Sequence, residues 1–543
     1  MEAGDVLKCQ PALGIDYPIP GNESFTLWYY APNYSTDWEY HSNNDYYCLP
    51  YITQETGVSI QFIEVSSGAA SEQYSLMIAA GDWPDMNPVN EYYTGGLTQA
   101  YEDDVIFDLL DYADDLPNFM YIFDQQSRDI QEQALNDGHL LSFVSISDGS
   151  YSGNGLVTRG DWMDEQGISY DGQQQITLDQ FTDLLHTFRD AYGVECGYPC
   201  SDGTIGMGGA AFDTYAPTLI SDGFMTFPGL TIFRYGDEVT SGWVADNYFD
   251  YVTWLYGLIE DGTLLKLTEV ETDRMAQNSM QANGEISVWQ ANADKLDECA
   301  DFVADKATST FRAQAIPSVV PDESQVGADT IWKEPARMVA PGFSVSANSD
   351  KAGIVCQWMN WFWTDVGTLV YNYGLSEDIA TQMGLSANRG EGQGPWFGSY
   401  RINEDGEVEW TDMITDTSAG GNAEKFSGMY TFSRFATSYQ DNDRLLSTFT
   451  DNALNAVELW TIPGGDERYY PSAITLNTED NERVNRLQND ILTYGEEQIL
   501  RMLDGQIEIT RENWDNYVNT INGMGLVEIV EIYQRYYDDY MAG

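Results

Sequence analysis

The sequence predicts an α/β protein with a largely parallel sheet near its N-terminus and two or three domains. Two observations predict it. Between residues 25 and 81, strand-like and helix-like segments alternate, and that order requires right-handed crossovers between parallel strands. At 543 residues, 43 % hydrophobic and 20 % charged, the chain is globular and long enough to bury more than one core.

Taken in order, residues 1–23 read as a linker because Pro11, Pro18, Pro20 and Gly21 interrupt any pattern. Phe25 to Tyr30 reads as a strand that stops before Pro32, and residues 37–56 as a loop running into a helix that Gly57 ends. Val58 to Val65 alternates as the next strand, and a helix through Tyr74 to Ala80 stops at Gly81. Thr177 and Gln180 form a capping box, in which two side chains satisfy free backbone N–H groups. Behind it Phe181, Leu184, Leu185 and Phe188 share one helical face up to Gly193. Residues 197–245 are Gly-rich and aromatic and read as loops with short strands. Trp358 to Tyr371 reads as one apolar helix, and Arg401 to Trp410 as a hairpin turning at Asp405-Gly406. The C-terminus reads as three helices: one through Val484 and Ile499 to Gly505, one capped by Thr510, and one carrying Leu526 to Tyr537.

The charge balance is extreme: 24 Lys and Arg against 87 Asp and Glu, a formal charge of −63. Such a field repels polyanions and excludes nucleic acid as a partner. An anionic ligand would need a local basic pocket, and no Lys/Arg cluster is visible in the sequence. Fifteen Trp and 36 Tyr exceed what a core needs and suit a protein that presents flat rings to a ligand. The six cysteines lack zinc-site spacing, although Cys196 and Cys200 are near enough to close a small disulfide loop in an exported chain. His41, His139 and His186 are too few for His-based chemistry, and no cofactor or metal is expected. No stretch of about 20 apolar residues is present to span a membrane. The start reads as a tether whose leader has been removed.

Several segments in order resemble the extracellular solute-binding proteins of ABC importers, in their large oligosaccharide-binding lipoprotein branch. They are Glu55 to Val58 with Leu76 to Asp85, Asn136 to Phe143 with Gly155 to Met163, and Gln281 to Trp289. Phe343 to Ala347 with Trp358 to Trp363 and Tyr371 to Gly374 follows, then Gly505 to Tyr540. Met163 replaces the Leu of the family's Arg-x-Asp-Trp-Leu step. Leu375 to Asp378 replaces a Gly and an aromatic after the Asn-Tyr-Gly step. The resemblance covers the chain from about residue 25 to its end.

It implies a two-lobed periplasmic-binding-protein-like fold with a hinge and an interlobe cleft. Lobe 1 would be residues 24–150 with about 344–460, and lobe 2 residues 151–343 with about 461–543. It further implies a monomer that captures a neutral oligosaccharide by lobe closure and delivers it to the transporter's permease subunits. A lipid tether would hold it at the cell surface, or it would be periplasmic. Cys9 does not suit the lipid attachment, because Lys8 stands where that motif needs a small residue.

A sugar site needs aromatic platforms flanked by hydrogen-bonding side chains. Strand ends and loops offer Trp28, Tyr30, Asp37, Trp38, Trp83, Asp85, Trp243, Trp289, Trp332 and Trp396. Trp358, Trp361, Trp363 and Trp514 read as core, and Asp161 as a helix-start residue. Two other readings stand beside this one. A secreted glycoside hydrolase would share the acidity and the aromatics, but needs two carboxylates facing each other across a cleft. A peptide binder on the same fold would use Arg337 or Arg389 as anchors. Neither a nucleophile elbow nor a phosphate loop is present. Asp441-Asn-Asp443 lacks the rest of a calcium loop.

Overall fold

A computed structural model of the protein describes residues 9–31, 42–147, 151, 153–193, 232–264, 274–324, 326, 339–386, 396–404, 408–415, 430–441, 444, 446–461, 470–471, 474 and 476–542. The chain divides into two units. Unit 1 is Met1–Ser150 with Arg337–Thr448, and unit 2 is Tyr151–Ala336 with Phe449–Gly543.

In unit 1, β1 (Glu23–Tyr30) runs parallel to β2 (Val58–Val65), with Glu23 opposite Val58 and Tyr30 opposite Val65. Between them lies the helix Leu49–Thr56, which ends at Gly57 in the left-handed region. β2 is followed by the helix Ala70–Ala80, ended in the same way by Gly81. β3 (Met86–Asn87) joins β1 in parallel on its other side.

Strands of unit 2 come next along the chain, after β4 (Val144–Ser147) of unit 1. They are β5 (Asn154–Arg159), β6 (Gln175–Thr177), β7 (Ile232–Tyr235), β8 (Glu238–Ser241), β9 (Val288–Asn292), β10 (Ala313–Ala315) and β11 (Ser318–Val320). Unit 1 resumes with β12 (Val339–Pro341) and β13 (Ser344–Val345). β13 pairs antiparallel with β3, so the first sheet has the order β13-β3-β1-β2 and is parallel except at that edge.

β14 (Tyr400–Ile402) and β15 (Val408–Trp410) follow and pair antiparallel, as the expected hairpin requires, while Asp405-Gly406 itself lies outside the described residues. β16 (Tyr439–Gln440) then completes a second sheet of unit 1, in the order β12-β4-β16. The core beside these sheets joins Phe25, Leu27, Val58, Phe62 and Met86 to Trp358, Phe362, Phe432 and Phe435. Burying each such aromatic is worth about 1.5–3 kcal/mol. Trp358, Trp361 and Trp363 are core residues, as their apolar surroundings predict.

Two local expectations need correction. Residues 9–22 are not a free linker: Cys9 and Ile19 are buried, Leu13 N–H donates to Asn118, and Ile19 N–H donates to Thr56. Proline and glycine there dictate an irregular path, which can still pack. The helix expected over 358–371 is two helices, Ala352–Trp361 and Asp365–Tyr373. Thr364 separates them, capping the second by accepting from the Gly367 N–H.

In unit 2, β5 lies between β9 and β10, antiparallel to both, while β6 and β11 pair in parallel. β7 and β8 form a hairpin. The capping box at Thr177 and Gln180 opens the helix Leu178–Tyr192, which buries Phe181, Leu184, Leu185 and Phe188. Arg159 pairs with Asp161 at 2.7 Å and lies over the Trp162 ring, holding the start of the helix Gly160–Gln166. The helices Thr478–Leu503, Arg511–Ile521 and Val527–Ala542 close the unit around Trp243, Tyr248 and Trp514.

The helix Asp451–Trp460 belongs to unit 2, which moves the last crossover upstream from residue 460 to 448. Its anchor is Trp460, whose Nε1–H donates to Ile316 O and whose ring fills the space over Gly155. A Cβ at Gly155 would lie 2.1 Å from that indole. The residues before β12 also fall differently, with unit 1 resuming at Arg337.

Candidate ligand-binding site

The C-terminal ends of parallel strands are where an α/β sheet presents loops, free backbone groups and space for a ligand. In unit 1 that edge carries Tyr30 at the end of β1 and Pro88 to Glu91 just past β3. Because β13 runs the other way, the residues leading into it, Gly342 and Phe343, reach the same edge. The second sheet contributes Ser145 from β4, Ala340 and Pro341 from β12, and Gln440 from β16. With Tyr29 in place of Tyr30, these residues line a cavity of about 320 Å³, which Arg444 and the segment 433–441, with Arg434 and Thr437, complete.

That segment has little regular structure, so its position rests on packing. Phe432 stacks on Phe362 with ring centroids 5.3 Å apart, and Phe435 lies 4.7 Å from Phe62. Tyr46 Oη donates to Thr431 O at 2.6 Å. Asn372 clamps the far end: its Nδ2 donates to Tyr439 O, and its Oδ1 accepts from the Asp441 N–H. Gly342 lets Thr437 come close, since a Cβ there would sit 2.7 Å from Thr437 Cγ2.

The electrostatics are unusual for so acidic a chain. Tyr29 and Tyr30 stack 4.2 Å apart, and the Arg434 guanidinium lies over both rings, 5.4 and 5.0 Å from their centroids. Glu91 faces this arginine. Burial raises its pKa above the usual carboxylate value, while a hydrogen bond with Tyr92 and the charge of Arg434 pull the other way. Arg444 is only 5 % exposed. Its Nε finds no hydrogen-bond partner among the described residues, and neither does Thr437 Oγ1. Tyr371, whose hydroxyl meets Ser145 Oγ at 2.9 Å, is raised by burial, and the Arg444 charge partly opposes this. The sequence shows no basic cluster, but the fold assembles one from two arginines.

Of the seven described residues among the ten expected to bind, none lines this cavity. Tyr30 lies beside it, through Arg434. Trp28 is 2 % exposed and packs edge-on against Tyr74 and Tyr92. Trp243 and Trp289 are buried in unit 2, and Trp396 is buried with Met413 and Tyr430, so these rings serve packing. Trp83 is half-buried, with Nε1–H donating to Ile78 O. Asp85 is a structural clamp: it accepts from Thr26 N–H and Oγ1 and from Ser349 Oγ. Asp37, Trp38 and Trp332 lie outside the described residues, as do Cys196, Cys200, Arg337 and Arg389. The described cysteines 9, 48, 299 and 356 are buried. Asp441 accepts hydrogen bonds from Tyr373 Oη and the Arg444 backbone N–H, while Asn442 and Asp443 lie outside the described residues.

A second depression, in unit 2, is lined by Glu479, Asp480, Arg483, Glu528 and Arg535. Its charges answer one another, with Arg483 bound to both oxygens of Glu528 at 2.6 Å and Arg535 paired with Asp480. It is an exposed ion-pair network, of small energetic weight. Among the described residues no helix is long and apolar enough to cross a membrane, and no group of three or more His, Cys, Asp or Glu is placed to hold a metal.

No protein-family model and no curated protein sequence matches the chain. Solved structures do. The Streptococcus pneumoniae ABC-transporter substrate-binding protein FusA, in complex with kestose, aligns with a TM-score of 0.69 at 16 % identity, over 96 % of this chain and 100 % of that one. An extracellular solute-binding protein from Bifidobacterium longum subsp. infantis gives 0.68 at 17 % identity, over 96 % and 99 %. The alginate-binding protein AlgQ2 without calcium gives 0.66 at 15 % identity, over 97 % and 100 %. The chain therefore has the two-domain α/β fold of these solute-binding proteins from end to end.

Proposed function

We propose that the protein is an extracellular solute-binding protein that captures an oligosaccharide and hands it to an ABC-type transporter. The observation that carries this reading is the cavity at the C-terminal edge of the unit 1 sheet. It is lined by tyrosine, arginine, glutamate and hydroxyl groups, on a fold shared over nearly the whole chain with proteins of that class. Tyr29 in the cavity wall supplies flat apolar surface for the C–H faces of a sugar. Arg444, Gln440 and Thr437 supply fixed polar groups for its oxygens, in a recess where partial exclusion of water strengthens each bond. The protein acts as a monomer without catalysis, and a lipid tether holds it at the membrane surface beside the transporter.

Titration calorimetry with neutral and acidic oligosaccharide series, followed by product analysis of the same samples, tests this. One-to-one binding with the sugar recovered intact is the expected result. Cleaved sugar would replace the reading with a hydrolase. Silence across every series would overturn it.

A further inference from the structure

We infer that the oligosaccharide carries an acidic residue whose carboxylate is bound by Arg444 in the unit 1 cavity. The inference rests on the function proposed above and names its substrate class.

A guanidinium keeps its charge at physiological pH, and burying one without a counter-charge is costly. Buried arginines therefore normally meet a carboxylate inside the protein. Arg159 shows the normal case in this chain: 7 % exposed, it holds Asp161 through Nε and Nη2 and two backbone carbonyls through Nη1. Arg444 is as deeply buried, yet no carboxylate among the described residues pairs with its guanidinium, and its Nε is unpartnered. The nearest described acid in sequence, Asp441, bonds the Arg444 backbone N–H instead, and the adjacent Asp443 lies outside the described residues. The side chain lines the cavity, where Thr437 Oγ1 is the second unpartnered donor.

The rest of the lining permits an anion. Glu91 is the one acid there, and Arg434 faces it, so the two arginines leave a net positive charge. The planar fork of a guanidinium matches a carboxylate with two parallel hydrogen bonds. A neutral sugar hydroxyl would meet only one of them. A chain with a formal charge of −63 keeps such a pocket only against its own field, which gives the acidic ligand its selectivity locally rather than by long-range attraction.

The test is calorimetry on the full chain with uronate-containing tri- and tetrasaccharides of the galacturonate, mannuronate, guluronate and glucuronoxylan types. Each is compared with its own carboxyl-reduced, neutral counterpart. At least one acidic member should bind about 10–100-fold tighter than its reduced form, the range expected of a charge-assisted pair. R444Q should abolish that preference, and R444K should keep a part of it, as a point charge without the fork. Thermal melts of both variants separate lost binding from lost folding, and the wild-type comparison needs no variant at all. Equal binding of acidic and reduced sugars, or a preference that survives R444Q, would overturn this inference and leave the oligosaccharide reading standing. Silence of both sets would overturn both. Binding of sodium acetate as tight as that of the acidic sugar would overturn the sugar as the source of the carboxylate.

Discussion

Asp441 accepts a hydrogen bond from the backbone N–H of Arg444 at 3.2 Å, through Oδ1, while its Oδ2 accepts from Tyr373 Oη at 2.6 Å. The acid thus fixes where the arginine leaves the chain without neutralising its side chain. D441A removes an acceptor from a buried hydroxyl and from a backbone N–H, and should cost about 1–3 kcal/mol in urea unfolding. It should also weaken ligand binding about tenfold, because the guanidinium loses its fixed origin. D441N keeps an acceptor for the N–H and should bind nearly as wild type. Identical ligand affinities for all three proteins would show that Asp441 does not position Arg444.

Gly342 marks a close approach in the wall of the cavity. G342A places a methyl 2.7 Å from Thr437 Cγ2 and 3.2 Å from Phe143 O. Forced displacement of this kind costs about 1–3 kcal/mol. Both the melting temperature and the ligand affinity should fall. A fall in melting temperature with unchanged affinity would place Thr437 outside the site.

Asp85 has a pH signature. Burial opposes its ionisation, but hydrogen bonds from Ser349 and Thr26, with the charge of Lys351, outweigh it and hold the carboxyl below its ordinary pKa. A carboxyl depressed in the folded state adds stability that is present above its unfolded pKa, near 3.9, and is lost as pH falls through the lower folded value. Wild type should therefore lose more stability than D85N as pH is lowered from about 5. Parallel unfolding curves for the two would contradict the clamp.

T177A removes the hydroxyl that accepts from Gln180 N–H at 3.2 Å and breaks the reciprocal box. The cost should be about 1 kcal/mol by chemical denaturation, confined to unit 2. Ligand affinity should not change, since Thr177 belongs to unit 2 and does not line the unit 1 cavity. A tenfold loss of binding would mean that the cavity in unit 1 is not the whole site.

Ionic strength separates ligand classes by rate. An acidic oligosaccharide approaches a strongly negative surface, so its association rate should rise between about 0.01 and 0.15 M salt as the repulsion is screened. The rate for its carboxyl-reduced form should stay flat. Stopped-flow fluorescence, with the abundant tryptophans as reporters, measures both. Flat rates for each would remove the charge from the ligand.

What could be read from the sequence was local. Alternation gave the strands ending at Tyr30 and Val65, the Thr-x-x-Gln spacing gave a cap, and Asp405-Gly406 marked a hairpin whose two strands pair as expected. The site was not local. Tyr29, Glu91, Arg434 and Arg444 come from three distant stretches, and the last two sit in a run without periodicity that is held by Phe432 and Phe435. Its one signal was two arginines ten residues apart in a chain with only 24 basic residues. The tryptophans misled for a physical reason: an indole suited to a sugar face is equally suited to a core, and Trp28, Trp243, Trp289 and Trp396 are buried. The split of 358–371 turned on a single hydroxyl, Thr364, inside an apolar run.

The pairing of β3 with β13 has a consequence for how the chain is made. The edge strand of the first sheet, and the phenylalanines that fill the core beside it, are translated only after the first half of unit 2. Unit 2 in turn waits for Trp460 to fill the slot over Gly155. Neither unit can finish as it emerges from the ribosome. The chain must stay open until nearly all of it has been synthesised.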